Sequence, residues 1–149
     1  MNARIVTRVA TQDDVQDLAR LNLAFNGVRE LPETISIRLS DPLCVELPLV
    51  AEIDGQVVGF AALRVVPCVF YNHPHGELTE LYVEEEFRQI GVGRELVLLA
   101  ERIAKARGVK ELFALTGISN QKARRLYNSL GYEDGDLVLS KELLDEDDH

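Results

Sequence analysis

Residues 77 to 107 constrain the fold of this chain more than any other stretch. Glu77-Leu78-Thr79-Glu80-Leu81-Tyr82-Val83 reads as a short β-strand, with aromatic and β-branched residues gathered in it. Side chains alternate along an ideal strand. Leu78 and Glu80 would then share one face, and Thr79 and Leu81 the other. After the acidic run Glu84-Glu85-Glu86, the segment Phe87 to Arg94 carries Gly91 and Gly93. Leu96, Leu99, Ala100, Ile103 and Ala104 then recur at three- and four-residue steps, and Gly108 stands where a helix-ending glycine belongs, so a long amphipathic helix follows. A strand feeding a helix through a glycine turn commits the chain to an α/β arrangement.

That turn has a chemical meaning. The first turn of a helix exposes backbone N–H groups without intrahelical partners, and the helix dipole adds positive potential there. Small residues let phosphate oxygens reach those groups. Arg88 and Arg94 bracket the turn with charge, so a phosphate or pyrophosphate is the expected ligand. The P-loop pattern is absent, because no Gly-Lys-Ser or Gly-Lys-Thr follows. The dinucleotide pattern is also absent, because Leu96 occupies the place of its third glycine.

The rest of the chain supplies a mixed sheet. Arg4 to Val9 predicts a first strand, and residues 13 to 26 a helix opened by Thr11-Gln12-Asp13-Asp14. Ile35 to Leu39 predicts a shorter helix behind Leu31-Pro32. Leu49 to Ile53 and Gln56 to Val66 predict a hairpin joined through Asp54-Gly55. Pro67 to Gly76 reads as an irregular connection. Glu111 to Leu115 is a further strand, Asn120 to Gly131 a helix, and Leu137 to Ser140 a last strand. The fold class is α/β, one central mixed sheet with helices on its faces. A single domain over residues 1–143 is expected, with residues 144–149 as a frayed acidic tail.

Charge and cysteines exclude several functions. The net charge of −9 argues against nucleic-acid binding and suits a cationic substrate. No apolar run approaches the ~20 residues of a membrane span, and no signal core follows Met1, so a cytoplasmic protein without a membrane contact is expected. Cys44 and Cys68 read as reduced, buried thiols. His73 and His75 lack a third ligand at metal spacing, and no metal is expected.

Arg88-x-x-Gly91-x-Gly93, placed between strand and helix, resembles the acyl-CoA loop of the GNAT superfamily of N-acetyltransferases. Asn120-x-x-Ala123-x-x-Leu126-Tyr127-x-x-Leu130-Gly131-Tyr132 is similar to the second signature of that family. The resemblance spans about Leu49 to Ser140, and the element order also suits the family. This chain departs from the pattern at Gln89 and Ile90, where family loops often carry glycine and a basic residue, and at Glu85, where proline is frequent.

The resemblance implies acetyl transfer from the cosubstrate acetyl-CoA to a primary amine by direct attack in a ternary complex. It places pantetheine along Leu81, Tyr82 and Val83, and the pyrophosphate on Arg88, Gln89, Ile90, Gly91, Val92, Gly93 and Arg94. Asn120 would contact the pantetheine arm. Glu77 and Glu80 are the candidate bases, because an alkylammonium of pKa about 10 must lose a proton before it attacks. On an ideal strand they would face opposite ways, unless a β-bulge of the kind common in the family intervenes. Tyr127 has the family position of the acid that reprotonates the thiolate. By the same analogy, the acceptor pocket draws on residues 25–39 and 69–75, with Phe25, Tyr71 and His73 as candidates. Aminoglycoside, polyamine, amino acid, arylamine and protein amines all stay open as acceptors, as does a homodimer. The competing readings are an acyltransferase for longer acyl-CoA and a non-catalytic acyl-CoA sensor.

Overall fold

The computed structural model describes residues 4–145. The elements follow as β1 (Ile5–Val9), α1 (Val15–Asn26), α2 (Pro32–Ser40), β2 (Glu46–Ile53), β3 (Gln56–Val66), β4 (His75–Val83), α3 (Val92–Ala106), β5 (Leu112–Ala114) and α4 (Gln121–Ser129). Short 3-10 turns at Gln12–Asp14 and Glu85–Phe87 lead into α1 and the glycine loop. The sheet has the order β1-β2-β3-β4-β5. Its first three pairings are antiparallel, and β4 with β5 is parallel. Asp54 and Gly55, at φ of 51° and 78°, form the turn between β2 and β3 that an Asp-Gly pair favours.

Each face of the sheet buries a different set of side chains. Leu96, Val97, Ala100 and Ala104 of α3 pack against Leu49, Ala51, Val58, Ala61, Leu63 and Leu78. On the opposite face, Leu18 and Leu21 of α1 meet Val50, Val57 and Phe60, with Ile35 and Leu39 of α2 at the margin. Burying each large aliphatic side chain contributes about 1.5–3 kcal/mol, and these two layers hold the strands in register. No helix among the described residues is long and apolar enough to cross a membrane.

The register of β4 departs from ideal alternation. Leu63 pairs with Leu78 but Ala62 pairs with Glu80, which leaves Thr79 as an extra residue on β4. This is a β-bulge. Beyond it the alternation is reset, so Leu78 and Leu81 both pack on the α3 side, while Tyr82 lies on the α1 side. Leu78 and Glu80 therefore do not share a face.

Other expectations are corrected. Leu137 to Ser140 forms no strand. Leu137, Val138 and Leu139 are exposed, and no ladder partner among the described residues stands beside them. An apolar β-prone run becomes a strand only where a sheet edge takes up its backbone groups. Cys44 is exposed and Cys68 half-buried, both as free thiols, because they lie outside the packed layers of the sheet. β2 and α2 both begin earlier than their apolar runs, at Glu46 and Pro32. Glu146, Asp147 and Asp148 of the acidic tail lie outside the described residues.

One buried charge ties β1 to the start of α1. Asp14 is only 3% exposed and accepts from Arg8 Nη1 at 2.7 Å, Arg8 Nη2 at 2.9 Å and the Thr11 backbone N–H at 2.7 Å. The Arg8 guanidinium holds the Asp14 carboxyl below the usual carboxylate range, against the opposing effect of burial. A depressed folded pKa stabilises the protein fully above the unfolded value of about 3.9 and loses that effect as pH falls through the folded value. Asp14→Ala is therefore expected to cost about 2 kcal/mol at pH 7, a value kept low because Arg8 is partly solvated. Urea denaturation at pH 7 and pH 3 checks this, with the gap between wild type and variant narrowing at the lower pH.

Candidate active site

The glycine loop forms a cradle of backbone donors. Gln89 and Gly91 both have left-handed backbones, at φ of 65° and 98°. Gly91 caps α3, and its carbonyl accepts from the Glu95 N–H at 3.0 Å. Among the described residues, the backbone N–H groups of Gln89 through Arg94 have no protein partner. Consecutive free N–H groups at a helix N-terminus are suited to an anion, and the dipole of α3 reinforces them. Arg88 closes one side, donating from Nε to the Val83 carbonyl at 2.8 Å with its guanidinium 5.5 Å from the Tyr82 ring centre. Arg94 is exposed on the first turn of α3. The two glycines differ in role. A side chain at Gly91 would be strained at that φ, whereas a Cβ at Gly93 would come within 3.0 Å of Leu126. Gly93 thus lets α3 and α4 approach each other.

The strand beside the loop opens at the bulge. β5 pairs with β4 only over Gly76, Glu77 and Leu78, and the Leu115 N–H donates to the Leu78 carbonyl at 2.9 Å. From Thr79 onward, no strand of the described residues lies on that side of β4. Leu81, Tyr82 and Val83 therefore present a free strand edge, to which an extended polar chain could hydrogen-bond as an added strand.

The bulge brings both candidate carboxylates to the α1 side of the sheet, with different surroundings. Glu77 Oε1 lies 2.9 Å from His75 Nε2, and Glu77 Oε2 lies 3.9 Å from Arg64 Nη1. Arg64 also donates to Glu46 at 3.3 Å, and the His75 ring stacks on Phe113 at 5.1 Å. Glu77 is thus committed to a charged ladder across three strands. Glu80 has one hydrogen-bond partner among the described residues, Asn26 Nδ2 at 3.2 Å. Burial pushes the Glu80 carboxyl above its usual range, opposed by the Asn26 hydrogen bond and aided by the charge of Glu46. A carboxylate with a raised pKa and a light hydrogen-bond load is the better proton acceptor.

Tyr127 projects from α4 into the core beneath this region and is 5% exposed. Its ring lies 5.4 Å from Tyr132. Burial pushes its phenol up to about 12, so it stays protonated at neutral pH. Its hydroxyl has no hydrogen-bond partner among the described residues, whereas the Tyr132 hydroxyl donates to Glu101 at 2.8 Å. Asn120 caps α4, its side-chain oxygen accepting from the Ala123 N–H at 3.2 Å, so that oxygen already has a structural task.

The three acceptor-side candidates do not gather at one place. Phe25 stacks on Tyr82 at 5.3 Å and meets Phe60 edge-on at 6.2 Å, which forms an aromatic wall near Glu80. Tyr71 and His73 instead line a surface depression of about 470 Å³ with Val65, Cys68 and Arg107. Sequence reasoning did not single out Asn26, although it directly follows Phe25. Nor did it single out Arg64 or His75 as partners of Glu77. His75 and Glu77 stand two apart on one strand and share a face by alternation, whereas Arg64 meets Glu77 only through the register of β3 against β4.

Comparison with known proteins shows the family to which the chain belongs. Residues 15–132 match the model of the acetyltransferase (GNAT) family. A relative in Archaeoglobus fulgidus, named as an uncharacterised N-acetyltransferase, is 40% identical over 130 residues, covering 82% of this chain and 88% of that protein. The ribosomal-protein-alanine N-acetyltransferase of Brucella melitensis has a similar fold, with a TM-score of 0.81 at 18% identity, over 93% of this chain and 99% of that one. The aminoglycoside N-acetyltransferase AAC(6')-Iy, solved with CoA, gives 0.79 at 19% identity, over 96% and 97% of the two chains. The chain belongs to the GNAT family, and its enzyme class is acetyl-CoA-dependent N-acetyltransferase.

Proposed function

We propose that this enzyme transfers the acetyl group by direct attack of a primary amine on acetyl-CoA, both bound at the β4 bulge, with Glu80 as the base. The observation that carries this reading is the bulge itself. It turns Glu80 toward α1 and leaves the edge of β4 beyond Thr79 free. The pyrophosphate takes the free N–H groups of residues 89 to 94, with Arg88 and Arg94 beside it. Pantetheine lies along Leu81, Tyr82 and Val83, within reach of the Asn120 amide nitrogen.

The chemistry follows from this placement. Glu80 takes the first proton from the alkylammonium, and the freed amine attacks the acyl carbon to form the N–C bond. The nitrogen's second proton leaves to solvent as the intermediate collapses. A backbone N–H near Tyr82 is the donor for the oxygen that gains charge. The C–S bond breaks, and Tyr127 gives its proton to the departing thiolate. A phenol held protonated at neutral pH is suited to that task. Glu77, bound to His75 and Arg64, organises the floor of the acceptor site. The test is thiol release from acetyl-CoA in the presence of a panel of primary amines. Release that depends on the amine and saturates in it supports direct transfer. Release that is equally fast without any amine contradicts it.

A further inference from the structure

Asn26 stands at the last position of α1, before Gly27, whose left-handed backbone ends the helix at φ 69° and whose N–H donates to the Leu23 carbonyl. Its side-chain orientation is fixed by its neighbours. Asn22 Nδ2 donates to the Val28 carbonyl at 3.3 Å, and a carbonyl can only accept, so Asn22 must turn its Oδ1 the other way. That Oδ1 takes a hydrogen bond from Asn26 Nδ2 at 2.8 Å. The same Nδ2 donates its second hydrogen to Glu80 Oε2 at 3.2 Å. A flipped Asn26 amide would set its oxygen against two other oxygens, so the arrangement has one orientation. Both Asn26 donors are used. Its Oδ1 has no partner among the described residues, and the residue is exposed.

We propose that Asn26 receives the acceptor amine: its Oδ1 accepts one N–H of the incoming nitrogen, and its Nδ2 holds Glu80 in place to take the proton. The inference rests on the transferase reading above. One amide thus orders both partners of the proton transfer, the nitrogen on its oxygen side and the carboxylate on its nitrogen side. The proton passes from nitrogen to the Glu80 oxygen not held by Asn26, and the nitrogen keeps its electron pair for the acyl carbon. The charged group that acts on Glu80 is Glu46 from β2, which is paired with Arg64 of β3, and Arg64 in turn pairs with Glu77 on Glu80's own strand. Asn26 is the α1 side chain that contacts it, and β5 carries only Leu112, Phe113 and Ala114. Phe25 and Tyr82, packed with Phe60 beside this amide, offer an aromatic surface suited to an amine carried on a flat or apolar group.

Benzylamine is therefore the chosen acceptor for the test, with wild type, Asn26→Ala and Asn26→Asp compared. Asn26→Ala is expected to lower kcat/KM for benzylamine about 10-fold or more, the scale of a lost hydrogen bond to a charged group, with the KM for acetyl-CoA and the melting temperature unchanged. Asn26→Asp keeps an acceptor oxygen but sets a second carboxylate beside Glu80. The acid limb of its kcat–pH profile is expected to move to higher pH. In ¹⁵N-labelled wild type, the Asn26 side-chain amide is expected to shift on benzylamine addition. Unchanged kcat/KM in Asn26→Ala, or an unmoved acid limb in Asn26→Asp, overturns the proposal while leaving the transferase reading intact. A wild type inert to benzylamine whose Asn26 amide does not respond to it overturns the proposal too. Absence of thiol release with every amine overturns the transferase reading itself.

Discussion

Glu80→Gln is expected to lower kcat about 100-fold or more, the range for losing a positioned general base, with acetyl-CoA affinity unchanged. The carboxylate lies on the α1 side of the sheet, while the expected cofactor contacts run along the strand edge and the glycine loop. Removing its charge therefore leaves the cofactor seat intact. The wild-type rate should fall on the acid side with an apparent pKa above the usual carboxylate range, because burial raises Glu80. Stability carries the opposite sign. A carboxyl whose folded pKa is raised binds more protons when folded, so the protein loses stability as pH rises through that window. Glu80→Gln removes this penalty, and its melting temperature at pH 7 should equal or exceed that of wild type. A base that costs stability and supplies rate is the pattern expected of an active-site group. Steady-state kinetics and thermal melts on the same two proteins check both halves. A variant with full kcat removes Glu80 from the role. Glu77→Gln, by contrast, should disturb the ladder with His75 and Arg64 and act mainly through the KM of the amine.

Tyr127→Phe is the second variant with a large expected effect, a fall in kcat of about 10- to 100-fold. The ring carries the packing against α3 and Tyr132, and phenylalanine keeps it. The hydroxyl has no protein partner among the described residues, so its loss leaves no donor or acceptor stranded. Melting temperature and acetyl-CoA affinity should therefore hold while turnover drops. The phenol at about 12 also means that the wild-type rate should show no alkaline limb from this group below pH 10. Kinetics with a better leaving thiolate give a further check. An acyl donor whose thiol is more acidic needs less help from the acid and should narrow the gap between wild type and variant. An unchanged kcat removes Tyr127 from the chemistry and leaves it a core residue.

What the sequence revealed and what it hid divide along physical lines. The glycine turn, the long apolar stripe of α3 and the Asp-Gly hairpin are local signals, and each appears where the sequence places it. The bulge at Thr79 is not local. It arises because β3 and β4 fit with one extra residue between Leu78 and Glu80; the family resemblance allowed for such a bulge, and the pairing places it at Thr79. The faces of Glu77 and Glu80 hang on that one residue. The absent strand at Leu137 to Ser140 has a related cause, since propensity is read along the chain and a ladder is made across it. The contact of Asn26 with Glu80 has no sequence signal, because the two residues are distant in sequence and adjacent in space. Tyr71 and His73 lie on a loop whose direction the sequence does not encode, and they line a different depression from the aromatic wall.

The cradle at residues 88 to 94 is the base of the whole account, and a thermal titration with acetyl-CoA tests it most directly. Wild type and Gly91→Glu should be melted across a range of acetyl-CoA concentrations. Ligand that binds only the folded state stabilises it by about 2.7 kcal/mol at a 100-fold excess over Kd, which corresponds to a rise of several degrees. In Gly91→Glu, a carboxylate would stand among the free N–H groups on a backbone whose φ of 98° suits only glycine. A saturable rise is expected in wild type and none in a folded Gly91→Glu. No rise in wild type at millimolar acetyl-CoA, or an equal rise in both proteins, would contradict the cradle as the acetyl-CoA seat.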